Sequence, residues 1–290
     1  MKTMVGKIIW LNVLALVLLP VAWANGGQGY GQGQQTPPKP APPAQPGQTG
    51  AQPAAPAPPP VNAEEEAAYK AFFEFRGEPS RKVQLGDEFL KKFPESRYRT
   101  GVYSGMASAY AALGEQEKIV AAGEKALELS PDEVNVLALL ALVLPRTVNP
   151  GSLDTDQKLE KAEKYSKQAI TLLATMQKPA GLTDEDFAKA KNDRLSMCHS
   201  GLGIGYFHRQ KYADSAAELE QATQLVSPPD PVDLYVLGLA YMNTKRFADA
   251  ANALGRCVDG TGPGPFQDRC KQGAEQAKKQ AATQLAPPKP

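Results

Sequence analysis

Residues 202–225 read LGIGYFHRQKYADSAAELEQATQL, and residues 237–260 read LGLAYMNTKRFADAANALGRCVDG. Laid one over the other, Leu202-Gly203, Tyr206, Tyr212, Asp214, Leu219 and Ala222 coincide with Leu237-Gly238, Tyr241, Phe247, Asp249, Leu254 and Cys257, 35 residues further on. A fixed period of this length means stacked supersecondary units, each burying its apolar face on the next. Within the unit the steps are helical: Cys198, Gly201, Leu202, Gly205 and Tyr206 recur at three and four residues and form one apolar face. Arg209-Gln210-Lys211 reads as a polar turn. A second helix follows, carrying Ala213, Ala216, Ala217, Leu219, Ala222 and Leu225, and it stops at Ser227-Pro228-Pro229 because proline cannot continue it. Gly203 and Gly238 mark close helix crossings, with Ser215 and Ala250 read as the small residues opposite them.

This pattern of small and apolar residues on two consecutive helices resembles the tetratricopeptide repeat. The resemblance extends upstream. Met106-Ala107, Tyr110, Gly114, Ala126 and Pro131 stand in the family's order, with Gly123 in place of a large residue on the second helix. A third unit pairs residues 132–144 with 156–173, Ala162 and Ala169 holding the small positions, and residues 145–155 form an inserted loop. A first, degenerate unit spans 63–94 and keeps Tyr69, Phe89 and Pro94. The implied fold is all-α: a solenoid of antiparallel helix pairs over residues 63–285, closed by a capping helix at 266–285.

The two ends read differently. Residues 1–24 form a signal peptide, with Lys2 and Lys7 before the apolar run 8–19 and Ala22-Trp23-Ala24 as the cleavage site. An uncleaved anchor is the alternative, although the run, interrupted by Asn12 and Pro20, is short for a span of about 20 residues. Residues 25–62 hold eleven of the 26 prolines, with Lys39 the sole charge and Tyr30 the sole aromatic. Such a segment buries too little apolar surface to offset its ordering entropy, so a disordered linker is expected. As a flexible coil it reaches about 35 Å, and as polyproline II about 120 Å. Residues 286–290 are expected to be a disordered tail. The chain is thus expected to be exported, to the periplasm or beyond the cell, with no stable membrane insertion after cleavage.

Charge narrows the function. Without residues 1–24 the chain loses Lys2 and Lys7 and no acid, moving from +1 to −1. A nucleic-acid binder would show a clustered basic excess, so no nucleic-acid partner is expected. Catalysis is not expected either. His199 and His208 are nine residues apart on one helix and face different ways, and Cys198-His199 point to different faces rather than pairing as nucleophile and base. Gly201, Gly203 and Gly205 lie inside a helix rather than between a strand and a helix, so they are not a phosphate loop. The acid runs 64–66 and 184–186 start helices, where carboxylates suit the positive end of the dipole, and Thr183 with Asp186 has the form of an N-cap. No cofactor or metal is anticipated.

In the tetratricopeptide family the first helices of successive units line a concave groove for extended peptides or helices. Carried over by position, that groove comprises Ile204, Phe207 and His208 in one unit and Tyr235, Leu239, Met242 and Asn243 in the next. These side chains suit an apolar peptide or helix. The chaperone-binding subset places Lys, Arg and Asn there to hold a terminal carboxylate, but Ser200 and Ile204 occupy two of those positions here, which does not support that specificity. The resemblance therefore implies a non-catalytic interaction scaffold acting outside the cytoplasm. The alternative is a cell-envelope assembly or wall-coordination factor working through a dedicated partner enzyme. Of three cysteines, Cys257 and Cys270 are the candidate disulfide, pinning the last helix, because export places them where disulfides persist. Cys198 is left as a buried thiol. Neither the partner nor the oligomeric state follows from these residues.

Overall fold

A computed structural model describes residues 62–149 and 151–285. The leader, nearly all of the proline-rich segment and the tail lie outside the described residues. Eleven α-helices and no strand occur among the described residues: α1 (Ala63–Glu74), α2 (Pro79–Lys92), α3 (Arg99–Leu113), α4 (Gln116–Leu129), α5 (Val134–Arg146), α6 (Thr155–Thr175), α7 (Asp184–His208), α8 (Tyr212–Leu225), α9 (Pro231–Asn243), α10 (Phe247–Asp259) and α11 (Pro265–Leu285). No helix among them is long and apolar enough to cross a membrane.

The helices pair in chain order, α1 with α2 through α9 with α10. From α3 to α9 each first helix touches its own partner, the second helix of the preceding unit and the first helix of the adjacent unit, whereas among the described helices no second helix touches another second helix. That asymmetry curves the stack and puts the first helices on its inner side. α11 touches α10 and α9 as the first helix of a sixth unit would, and so closes the core. The core divides along the stack: Phe72, Val102, Ile119 and Leu140 pack toward one end, Leu219, Leu234, Leu254 and Ala274 toward the other, and Leu137, Ala138, Ala169 and Cys198 form a smaller cluster.

The turn inside a unit is built the same way three times. Gly114, Gln210 and Lys245 each lie four residues beyond a tyrosine and all take left-handed backbone, at φ 73°, 61° and 60°. In each case the next N–H reaches back to that tyrosine's carbonyl: Glu115 to Tyr110 at 3.0 Å, Lys211 to Tyr206 and Arg246 to Tyr241 at 2.9 Å. This closure satisfies carbonyls that the helix end leaves bare. Thr183 caps α7 as expected, its Oγ1 accepting from the Asp186 N–H at 3.0 Å.

Three details differ from the sequence reading. The residue opposite Gly203 is Leu219, whose Cγ would lie 2.5 Å from a Cβ added there, and Leu254 fills the same role for Gly238. Ser215 and Ala250 are buried one helical turn earlier. The insertion is shorter, because Pro145 and Arg146 still belong to α5. And α7 runs 25 residues, starting well before the repeat motif.

Candidate functional site

The inner side is built from α5, α7 and α9, and the structure distributes the seven expected groove residues unevenly along it. Ile204 (4 % exposed) and Tyr235 (8 % exposed) are core residues, not groove residues. Tyr235 is covered by the capping helix: Phe266 meets its ring edge-on with centroids 5.5 Å apart. His208 is largely enclosed, with Nε2 3.0 Å from the Pro145 carbonyl oxygen. Burial lowers its pKa below the usual imidazole value, against that bond, which favours the protonated ring. Phe207, Leu239 and Met242 are half-buried, each resting on the core with part of its surface open. Phe207 lies edge-on to Tyr212, 5.4 Å between centroids. Asn243 is exposed and donates from Nδ2 to the Leu239 carbonyl at 2.8 Å. Four of the seven, Phe207, Leu239, Met242 and Asn243, therefore keep part of their surface open, toward the C-terminal ends of α7 and α9.

The histidines share nothing. His199 Nδ1 lies 2.7 Å from a Glu218 carboxylate oxygen on α8, away from His208. Cys257 and Cys270 are buried opposite each other with Cα atoms 5.9 Å apart, within the range a disulfide spans. Cys198 is buried, and burial pushes its thiol up to about 12, which leaves it protonated and unreactive at neutral pH.

One constellation escaped the sequence reading. Arg146 ends α5, an otherwise almost wholly apolar helix, and points into the crossing of α5, α7 and α9. One terminal nitrogen pairs with Asp230 Oδ2 at 2.8 Å and donates to Asp233 Oδ1 at 2.9 Å and Ser200 Oγ at 3.0 Å. Ser200 in turn donates to Asp233 Oδ1 at 2.6 Å. The Arg146 and Asp233 side chains are 5 % and 3 % exposed, Asp230 25 %. Asp230 also caps α9, accepting from the Val232 N–H at 2.8 Å. Burial opposes the Arg146 charge, and the two carboxylates outweigh it. An arginine closing the run VNVLALLALVLPR and two aspartates flanking Pro231 were the available signal.

Paired helices stacked with first helices inside, the same turn closed three times and the 35-residue echo on α7–α10 decide the architecture. It is a tetratricopeptide-type solenoid. No family model matches the chain, and no curated protein does. Among solved structures it is similar to a thermophilic tetratricopeptide repeat protein of Thermus thermophilus (16% identity, 74% of this chain and 99% of that one, TM-score 0.44). It is also similar to PilW, described as a type IV pilus biogenesis factor (14%, 77% and 93%, TM-score 0.49). A third is MamA from Desulfovibrio magneticus (14%, 78% and 99%, TM-score 0.38).

Proposed function

We propose that this tetratricopeptide-type solenoid is a non-catalytic protein-interaction scaffold acting outside the cytoplasm, where it presents its inner side to a peptide or helix of a partner protein. The observation that carries this reading is the row Phe207, Leu239 and Met242: large, uncharged, half-open side chains on consecutive first helices. Apolar anchors of this kind, seated in a packed wall, supply most of the energy at a protein interface. The export part of the reading rests on residues 1–24, and it requires the mature chain to begin at or near Asn25.

Affinity capture from envelope extract with the exported protein, followed by the same capture with Phe207→Ala/Met242→Ala, tests the scaffold. The double variant should bind its partner at least about tenfold more weakly, a loss of about 1.4 kcal/mol, with helix content unchanged. Tyr235→Ala serves as contrast: removing a core ring from under Phe266 should cost about 3 kcal/mol of stability rather than act at a surface. Unaltered capture by the double variant would place the partner elsewhere.

A further inference from the structure

The Arg146 cluster joins three successive units at one point. Its parts come from the end of α5, the middle of α7 and the start of α9. Two carboxylates, Asp230 and Asp233, share one guanidinium nitrogen, and only Asp230 has appreciable contact with solvent. With both carboxylates ionised the cluster carries a net charge of −1 in a site from which water is largely excluded. With one proton added it is neutral, and the cost of burying unbalanced charge disappears. The proton belongs on Asp233, the more deeply buried of the two.

We propose that this cluster is a proton-controlled joint between units 3, 4 and 5: with Asp233 protonated the three inner helices are held together, and with Asp233 ionised the joint loosens. Burial and then the neighbouring Asp230 raise the Asp233 carboxyl from the ordinary 3.8 to about 7, against the pull of Arg146 and Ser200. The sign follows from proton counts. Between these values the folded chain holds a proton on Asp233 that the unfolded chain has lost, so stability falls as pH rises. The contribution is whole below about 4 and gone above about 7. The groups facing Asp233 are Arg146 on α5, Ser200 on α7 and Asp230 ahead of α9. His208, next to the joint through the Pro145 carbonyl, acts with the opposite sign, since its pKa is lowered.

Comparing the full chain with Asp233→Asn separates the two groups, because the amide keeps the shape and cannot ionise. Equilibrium urea unfolding is measured for both between pH 4 and 9. Relative to Asp233→Asn, the folded-to-unfolded ratio of the native sequence should fall at least roughly tenfold between pH 5 and pH 8. Backbone hydrogen exchange, corrected for its intrinsic pH dependence, should quicken over the same interval at the end of α5 and the start of α9. Parallel curves, or a native sequence that gains on the variant as pH rises, would overturn the proposal. If Asp233→Asn does not fold, the carbon-13 titration of the Asp233 carboxyl in the native sequence decides: a midpoint above 6 supports the joint, and one below 6 sinks it.

Discussion

Gly201 on α7 lies directly against the backbone carbonyl of Ala141 on α5, a Cβ built there falling 2.7 Å from the carbonyl carbon. The carbonyl is available because the residue four positions on is Pro145, which has no N–H to offer it. A proline in one helix and a glycine in the next thus make a single contact, in which the oxygen deprived of its helical donor meets a Cα–H. Here α5 and α7 approach more closely than any side chain at position 201 allows.

Gly201→Ala should therefore destabilise the chain by about 1–3 kcal/mol, since its added methyl meets backbone that cannot swing aside. Gly205→Ala, one turn along the same helix with nothing near its absent Cβ, should gain about 0.5–1 kcal/mol from helix propensity. Urea unfolding of the two variants checks the pair. Equal effects would mean that the crossing gives way.

The repeated turn makes a second prediction. Gln210 and Lys245 hold left-handed backbone that Gly114 adopts without strain in the second unit. Gln210→Gly and Lys245→Gly should each stabilise by about 0.5–1 kcal/mol, and Gly114→Ala should destabilise by about 1 kcal/mol. Thermal unfolding of the three variants reads this directly.

Cys257 and Cys270 should be bridged in protein made in an oxidising compartment, and Cys198 should resist alkylation until the chain unfolds. Closing so short a loop stabilises by roughly 3 kcal/mol in the chain-entropy model. Cys270→Ser should loosen α11 before the upstream units, seen as faster hydrogen exchange confined to residues 265–285. Peptide mapping that finds both thiols open without reductant contradicts the bridge.

His208 gives a pH effect of its own. Its pKa is lowered in the fold, so the unfolded chain takes up a proton first as pH falls below the ordinary 6.5, and stability declines from there toward acid. His208→Gln should flatten that decline in the unfolding curve between about pH 6.5 and 5. An imidazole carbon-13 titration with a midpoint above 6.5 would contradict it.

The repeat could be read from residues because small and aromatic side chains recur where helices must cross, and a turn of fixed length keeps the period. Ser215 rather than Leu219 is read opposite Gly203 from the sequence because periodicity says which face a side chain occupies, not which residue it meets across the gap. The same limit explains Ile204 and Tyr235. Position in the unit puts them on the inner helix, but only α11, which carries no repeat motif, decides that Phe266 covers Tyr235. Arg146 was missed for a different reason. Its partners lie 54 and more residues away, and a lone charge at a helix end ordinarily serves the helix dipole.

Units in contact only with their neighbours respond to a pull in sequence rather than together. Traction applied at residue 62 is delivered first to α1, which buries just one side chain, Phe72. With so little buried surface, that helix should yield at lower force than the crossing at Gly201 and the Arg146 cluster, two units further in. The first unit is thus expected to act as a mechanical fuse, giving way before the inner face does when force enters at residue 62.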